Sequence, residues 1–261
     1  MDKAPKSTHL DNVASFLHLA ICEIAGFNAA NKIKLFDFGC GQGQLVEDLQ
    51  QYGYDAYGAD VWTTYDQVLV NDRLKKIETN PYRIPFEDNS FDIVVSTSVL
   101  EHAQNTKACF EEIYRILKPG GYAMHIFPGK WYLPSEPHLY VPLVNWFWPR
   151  CPDWWLLLWA ILGIRNEFQQ EKTWKEVYQI NKQFCRQSIC YRTTDYYQRL
   201  SMSIFGNFTW PMTFHINHAG GGFNKIAKKL PFKSLLGFIS REFRMGFLVT
   251  HKVMGSGPVN D

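Results

Sequence analysis

The sequence predicts an α/β fold with a doubly wound, mostly parallel sheet, and three observations support that prediction. Over residues 31–130, short apolar segments of strand length alternate with amphipathic segments of helix length. A glycine-rich turn, from Gly39 to Gly43, joins the first of these strands to the helix that follows it. Beyond residue 130 the alternation stops and the chain becomes dense in tryptophan, which predicts an aromatic-rich helical cap.

The composition limits the class of protein. The chain has 261 residues, 46% of them hydrophobic and 20% charged, which excludes disordered and collagen-like chains. Residues 1–130 hold 12 Lys and Arg against 17 Asp and Glu, whereas residues 131–261 hold 15 against 8. Eight of the nine tryptophans also fall in the basic half. A basic half rich in tryptophan fits an anionic substrate or a membrane surface better than a nucleic acid.

The sequence also carries expectations about location. The six cysteines form no CxxC pair, and the opening MDKAPKSTH lacks the apolar segment of a signal peptide, so we expect a cytoplasmic protein. The most apolar stretch, residues 154–164, is shorter than the roughly 20 residues that cross a bilayer. Two interpretations of this stretch remain open, namely a buried cap helix and a helix in peripheral contact with a membrane.

The predicted elements divide the chain into four segments. Residues 1–30 contain an N-terminal amphipathic helix over 9–27, with Asp11 as its cap. Residues 31–130 form the core, residues 131–222 the aromatic-rich cap and substrate region, and residues 223–261 a return to the sheet followed by a tail. Strands are predicted over residues 32–38, 56–60, 75–78, 91–96, 121–127 and, antiparallel to the others, 247–250; helices are predicted over 45–52, 107–117, 173–186 and 223–229.

The glycine-rich turn predicts a ligand site. Gly39, Gly41 and Gly43 permit a tight turn and let a ligand approach the backbone, and the start of the next helix favours an anionic group. Asp60 ends the following strand, where its two oxygens can accept hydrogen bonds from both hydroxyls of a ribose. Together these features predict a site for an adenosyl ligand at the carboxyl edge of a parallel sheet.

The spacing of the glycines departs from the G-x-G-x-x-G of dinucleotide-binding enzymes. The pattern D-x-G-x-G-x-G, from Asp37 to Gly43, instead resembles motif I of the class I S-adenosylmethionine-dependent methyltransferases. Further matches follow in the family's order: Asp60, Ile84-Pro85-Phe86 with Asn89-Ser90-Phe91-Asp92, Val99-Leu100-Glu101-His102, and Leu117-Lys118-Pro119-Gly120-Gly121. The resemblance implies a Rossmann-like fold and S-adenosylmethionine as the cofactor.

The resemblance also implies roles for individual residues. It sets the glycine loop, including the neighbouring Phe38 and Cys40, against the methionine portion of the cofactor, with Asp37 supporting the loop or the ligand's ammonium. It gives Asp60 the ribose and Val61 the adenine. Asn80 stands where the family often has an Asp that contacts the adenine amino group, and Ser96 is expected to face the sulfonium centre.

Candidate catalytic residues are His102, Glu136 and His138. Methyl transfer needs no covalent nucleophile, although a hydroxyl acceptor benefits from a base. Pro137 favours an extended backbone at Glu136, so Glu136 and His138 point to one side and can act as a pair. Alternatively, Glu136 caps or pairs with a surface cation, His138 packs near Tyr140 and Trp131, and His102 is structural. No metal is expected, because His215 and His218 have no carboxylate or cysteine nearby, and Cys185 and Cys190 match no standard spacing.

These observations predict methyl transfer to a small molecule or to a glycan linked to a carrier. The Glu-Pro-His segment followed by an aromatic cap resembles uncharacterised methyltransferases associated with bacterial surface-polysaccharide synthesis. A lipid or prenyl-quinone methyltransferase at the membrane surface is one alternative, and a scaffold that binds S-adenosylmethionine without turnover is another. A nucleic-acid substrate is not expected, because the core half is acidic and no N-P-P-Y-like step follows the fourth strand.

Overall fold

A computed structural model describes residues 9–27, 32–61 and 72–254, with side chains from residue 13 onward. The strands are β1 (Lys34–Phe38), β2 (Asp55–Asp60), β3 (Leu74–Lys76), β4 (Glu78–Thr79), β5 (Tyr82–Arg83), β6 (Phe91–Thr97), β7 (Leu117–Pro128) and β8 (Met245–His251). The helices are α1 (His9–Glu23), α2 (Gln44–Gln51), α3 (Thr106–Ile116), α4 (Val144–Phe147), α5 (Asp153–Ile161), α6 (Trp174–Gln187), α7 (Thr194–Phe205), α8 (Met212–His218), α9 (Gly222–Ala227) and α10 (Lys233–Phe243). A short 3-10 helix spans Glu167–Gln169.

Six strands form one sheet in the order β3-β2-β1-β6-β7-β8. The first five are parallel, and β8 runs antiparallel to β7 from the pair Tyr122 and His251 to the pair Pro128 and Met245. The predicted fold class, including the antiparallel last strand, is therefore confirmed. The small antiparallel hairpin of β4 and β5 was not predicted. The predicted cap Asp11 lies outside the residues whose side chains are described.

Helices cover both faces of the sheet. Alternate strand residues point to opposite sides, so Leu35 packs beneath α1 and α2 while Phe36 packs beneath α3. The α7 helix joins the second face through Tyr197 and Leu200. A parallel sheet covered on both sides leaves the carboxyl ends of its strands as the natural edge for a ligand.

The predicted cap contains two kinds of structure. Part of it has a small core of its own, which consists of Leu139, Val141, Val144, Leu156, Cys185, Ile189 and Tyr191. The α7 helix, by contrast, packs against α3 and the sheet. The segment 223–261, predicted to return to the sheet, first forms α9 and α10 before β8 begins at Met245.

The apolar helix α5 is buried only in part. Leu156 and Ala160 face the cap core, whereas Trp154 is 61% exposed and Ile161 is 57% exposed. The helix is therefore buried against the cap on one side and exposed on the other. Among the described helices, none has both the length and the apolar character needed to cross a bilayer. Peripheral contact with a membrane stays a prediction.

All six cysteines lie in the described part of the chain, and each is a free thiol. Free thiols are what a reducing compartment maintains. The cytoplasmic location itself stays a prediction.

Candidate active site

The glycine loop lies between the carboxyl end of β1 and the start of α2. Gly39, Gly41 and Gly43 have φ values of 77°, 52° and 88°, in the left-handed region that favours glycine. A Cβ on Gly39 would come 2.4 Å from Cγ2 of Val99, and one on Gly43 would come 2.6 Å from Cδ1 of Leu74. A Cβ on Gly41 would have no heavy atom within 4 Å. Packing thus requires glycine at the outer two positions, whereas the middle position faces open space.

Asp60, at the end of β2, holds this loop. Its Oδ2 accepts a hydrogen bond of 2.8 Å from the Gly41 N–H, and its Oδ1 accepts one of 2.6 Å from the Val61 N–H. Each carboxylate oxygen has a second lone pair, so these bonds leave capacity for ribose hydroxyls. The loop and the predicted ribose ligand are therefore coupled through one side chain.

Asp37, in β1, is 2% exposed. Burial, with a further contribution from the charge of Asp60, raises the pKa of Asp37 to about 8. A cationic ligand at this edge would favour the ionised form, and S-adenosylmethionine carries both an ammonium and a sulfonium. Phe38 and Cys40 are buried in the core, so a ligand reaches them through their backbone.

Two other predicted cofactor residues, Asn80 and Ser96, lie outside the glycine loop. Asn80 is exposed at the turn of the β4–β5 hairpin, and its contact with adenine stays a prediction. Ser96 is fully buried, and its Oγ lies 2.7 Å from Nδ1 of His125, whose ring stacks on Phe110 of α3. The Ser96 side chain thus points to the face of the sheet that α3 covers, and not to the edge where the sulfonium was expected.

Glu136 and His138 form the pair that the sequence suggested. Glu136 is fully buried, and its Oε1 lies 2.7 Å from Nδ1 of His138. The same oxygen accepts a hydrogen bond from the Tyr191 hydroxyl, while Oε2 accepts from the backbone N–H groups of His138 and Leu139. Burial alone would lower the pKa of His138, but the Glu136 carboxylate outweighs it and the pKa is raised. Glu136 is too buried for a surface ion pair, but the alternative that it caps the chain holds, because Oε2 accepts from two successive backbone N–H groups.

His102 joins this pair. Its Nε2 lies 3.2 Å from Nε2 of His138, and the two rings meet edge to face with centroids 4.7 Å apart. Its Nδ1 lies 2.5 Å from the carbonyl oxygen of Ser188, which fixes the ring. Burial lowers the pKa of His102. The contacts to Tyr191 and Ser188 come from a distant part of the chain, so sequence reasoning missed them.

Glu101 completes the cluster and was missed as a functional candidate. It is 1% exposed, and neither carboxylate oxygen has a hydrogen-bond partner in another described residue. Burial raises the pKa of Glu101 to about 8. Its carboxylate and the nitrogens of His102 and His138 lie within 4.8 Å of one another. The only sequence signal was its place beside His102 in the Leu-Glu-His step.

A cavity of about 510 Å³ opens beside this cluster. Its walls come from α1, the ends of β6 and β7, the α8–α9 loop and α10, and they include Val13, Phe16, Thr97, Ser98, Glu101, Ile126, Pro128, His138, His215, Phe223, Asn224, Arg244 and Met245. Gly39 packs on Val99, the residue after Ser98, so the glycine loop adjoins this wall. The cavity thus has apolar walls with polar and charged side chains among them, and the predicted cofactor loop lies near its β6 wall.

Comparison with known proteins agrees with the motif resemblance. Residues 36–125 match the family model described as a methyltransferase domain. A sterol 4-C-methyltransferase of Caenorhabditis elegans is 27% identical over 120 residues, which are 43% of this chain and 35% of that protein. A sterol 24-C-methyltransferase of Pneumocystis carinii is 42% identical over 98 residues, covering 33% of this chain and 26% of that protein. A demethylmenaquinone methyltransferase of Lactiplantibacillus plantarum is 26% identical over 162 residues, covering 56% and 66%.

Solved structures share the fold. Phosphoethanolamine N-methyltransferase 2 of Haemonchus contortus, in complex with phosphomonomethylethanolamine and S-adenosylhomocysteine, superposes with a TM-score of 0.50 at 15% identity, covering 91% of this chain and 52% of that one. The chain thus spans about a quarter to two thirds of the proteins compared. Residues 36–125 thus match a methyltransferase domain, and the shared fold agrees with the resemblance to class I methyltransferases.

Proposed function

We propose that the protein uses S-adenosylmethionine to methylate a hydroxyl group of a small or carrier-linked acceptor. The observation that carries the proposal is the cavity that Glu101 and His138 line, whose wall at Ser98 directly precedes Val99, the residue on which Gly39 packs. When bound, the cofactor supplies a methyl group on a sulfonium, which a nucleophile displaces in line. The enzyme has to align the acceptor and assist the loss of its proton.

The chain's own residues divide this work. The glycine loop and Asp60 hold the cofactor, Asp37 compensates its positive charge, and Val61 and Asn80 are the proposed adenine contacts. His138 and Glu101 line the cavity, and His102 packs against His138. The oxygen–methyl bond forms as the sulfur–methyl bond breaks. The acceptor hydroxyl releases its proton beside this cluster, and the proton passes to solvent. Glu136 is a positioning residue, because it fixes the ring of His138 from behind.

The surface beside the cavity supports an acceptor that arrives on a lipid. Five side chains on and between α9 and α10, which we call the α9–α10 surface, are apolar and exposed: Ile226, Leu230, Phe232, Leu235 and Phe238. Lys225, Lys228 and Lys229 are exposed beside them. Phe223 and Asn224, in the same helix α9, line the cavity. An apolar surface with a basic rim at the mouth of an apolar cavity suits a lipid-borne molecule at an anionic membrane.

The carried group has two candidate forms. One is a glycan on a lipid carrier, as in surface-polysaccharide synthesis, for which Arg244 at the cavity wall offers a cation to a phosphate. The other is a lipid or prenyl quinone, which the apolar walls and the sterol and menaquinone relatives favour. The two forms predict different chemical fates for a transferred methyl group.

Transfer of labelled methyl from S-adenosylmethionine into a membrane-containing extract tests the proposal. We expect label above background with the wild type and a loss with Asp60→Ala, because Gly41 loses its hydrogen bond to the carboxylate. We also expect a loss with Glu101→Gln while cofactor binding persists. Glu171→Gln, on an exposed turn, is the matched control for removal of a carboxylate.

The partition of the label then identifies the acceptor. Label that stays in the organic phase and moves to the aqueous phase after mild acid supports a glycan on a lipid carrier, whereas acid-stable organic label supports a lipid or quinone. If the wild type never exceeds Asp60→Ala although calorimetry shows S-adenosylhomocysteine binding, the activity is refuted and the protein is a binding scaffold.

A further inference from the structure

The two ring nitrogens that face each other in the cluster pose a chemical problem. Nδ1 of His138 contacts the Glu136 carboxylate, and Nδ1 of His102 contacts the Ser188 carbonyl. Ionised carboxylates and carbonyls only accept hydrogen bonds, so each Nδ1 has to carry a proton. In neutral imidazoles both Nε2 atoms then present lone pairs to each other across 3.2 Å. That contact is repulsive unless a positive species, either a second proton on His138 or a metal ion, lies between the two nitrogens.

Glu101 adds a carboxyl group at this point. Its carboxylate lies within 4.8 Å of both ring nitrogens, is almost completely buried and has no hydrogen-bond partner in another described residue. Burial of an unpaired carboxylate is costly, and proteins keep such a group where a cation or a reaction needs it. Apart from its own backbone N–H, no described residue holds this carboxylate by a hydrogen bond.

We propose that Glu101, His102 and His138 bind one divalent transition-metal ion of the zinc class. Two imidazoles with one carboxylate form the protein ligand set of catalytic zinc sites and of iron sites that keep positions open for substrate. Ions that prefer oxygen ligands, such as Mg²⁺ and Ca²⁺, fit this set poorly, because two of the three ligand atoms are nitrogens.

The geometry around the cluster supports this assignment. Nitrogens bound to one ion at about 2.1 Å, with angles between octahedral and tetrahedral, lie roughly 3.0 to 3.4 Å apart, and the observed separation is 3.2 Å. Glu136 behind His138 and the Ser188 carbonyl behind His102 are the outer partners that orient metal-binding imidazoles. Glu136 is in turn fixed by Tyr191 and two backbone amides.

The place of the ion in the reaction follows from the cavity, and only this step rests on the proposed function. Glu101 and His138 line the cavity wall, so positions of the ion not used by the protein face the acceptor. An ion there supplies a Lewis acid that lowers the pKa of the acceptor hydroxyl. The acceptor hydroxyl can then release its proton to solvent, and no side chain of the cluster has to keep that proton.

Zinc and cobalt are the probes for this site. We expect the full chain, after treatment with a chelator and dialysis against Zn²⁺, to retain about one equivalent of metal by elemental analysis. Replacement by Co²⁺ should give ligand-field absorption in the visible range. Glu101→Gln and His138→Asn should each weaken metal binding at least about tenfold, whereas His218→Asn, in α8 and outside the cluster, should retain it.

Glu101→Gln also separates metal binding from folding. Because the change removes an unpaired buried carboxylate and keeps the shape, the metal-free variant should be at least as stable as the metal-free wild type. The inference is overturned if the wild type retains no metal, or if folded Glu101→Gln and His138→Asn retain as much as the wild type. In the first case the 3.2 Å contact is a hydrogen bond from a protonated imidazole.

The two proposals fail in different ways. Methyl transfer that persists in the metal-free protein refutes the metal site and leaves the proposed function intact. Zinc that binds through the cluster, without any methyl transfer to membrane or aqueous acceptors, leaves the metal site and refutes the methyltransferase reaction.

Discussion

Gly39 and Gly41 share a left-handed backbone but differ in their surroundings. An alanine at either position adds about 1 kcal/mol of backbone strain. At Gly39 the new methyl group also overlaps Val99, which should add about 1 to 3 kcal/mol. We expect Gly39→Ala to lower the free energy of unfolding measurably more than Gly41→Ala in urea titrations.

Val99 provides the control for that comparison. In the double variant Gly39→Ala with Val99→Ala, the clash is relieved. The double variant should therefore lose less free energy of unfolding than the two single variants lose in sum. Gly41→Ala should instead weaken the binding of S-adenosylhomocysteine, since its methyl group enters the open side of the loop. Equal stability losses at the two glycines, with no recovery in the double variant, would contradict this account of the loop.

Asp37 predicts an unusual dependence of stability on pH. Its pKa is raised from 3.8 to about 8 in the folded protein, so between these values the folded state binds more protons than the unfolded state. The contribution of Asp37 to stability is therefore complete below about pH 4 and is lost as the pH rises through 8. Asp37→Asn should flatten this part of the unfolding profile by up to about 1.4 kcal/mol per pH unit.

Glu171→Gln, on an exposed turn, is the control and should leave the profile unchanged. The ligand adds a second readout. Since its positive groups favour ionised Asp37, S-adenosylmethionine should stabilise the wild type more at pH 8 than at pH 6, and this difference should vanish in Asp37→Asn. A wild-type profile with the same slope as Asp37→Asn would show that Asp37 is already ionised.

Single residues were predictable where the information is local. The pairing of Glu136 with His138 was predicted from neighbouring residues, and their contact is 2.7 Å. It forms in a turn over residues 137–139 and not in an extended segment, because Glu136 Oε2 accepts from the N–H groups of His138 and Leu139. The expectation for Ser96 did not hold, because its direction depends on which face of β6 it occupies and on His125 in the neighbouring strand. Glu101 was overlooked because its burial results from the packing of the cap, which no local pattern reports.

Whole helices were predicted correctly where apolar residues recur regularly on one face, and they were missed where this pattern is weak. The helix predicted over 107–117 forms as Thr106–Ile116, because its apolar residues recur on one face. The α10 helix was missed, since Gly237 interrupts it and Leu235 and Phe238 are exposed instead of facing the core. Gly237 is needed where α10 crosses α8, because a Cβ there would lie 2.9 Å from Cβ of Met212.

The last strand is fastened by Lys252, which directly follows β8. Its Nζ donates hydrogen bonds of 2.9 to 3.0 Å to Asn89 Oδ1 and to the carbonyl oxygens of Tyr114 and Leu117. Lys252→Met removes all three, so we expect a loss of about 2 to 4 kcal/mol in the free energy of unfolding. Lys229→Met, on the exposed part of the α9–α10 surface, should cost little, and equal losses would refute this role.

For the whole molecule, the ordered motifs predicted the core but not the way the cap completes the cavity. The glycine loop, Asp60 and the five parallel strands of the sheet lie within residues 31–130, where connections are short and follow fixed rules. The cavity also needs α1, the α8–α9 loop and Arg244, which come from opposite ends of the chain. Contacts at such separation depend on tertiary packing, so no local sequence pattern predicts them.

The α9–α10 surface leads to a prediction about the whole molecule, namely that the protein binds anionic vesicles. Phe232 is 77% exposed, and exposed lysines lie nearby at positions 225, 228 and 229. Insertion of one aromatic side chain contributes about 1.5 to 3 kcal/mol, so Phe232→Ser should weaken vesicle binding about tenfold or more in sedimentation assays.

Phe168→Ser is the matched control, because Phe168 is 76% exposed in the 3-10 helix outside this surface. Binding should also weaken as salt rises, since the lysines act through screened charges. Equal effects of the two phenylalanine variants, or no binding to anionic vesicles by the wild type, would refute this surface as the membrane contact and with it the delivery of the acceptor on a lipid.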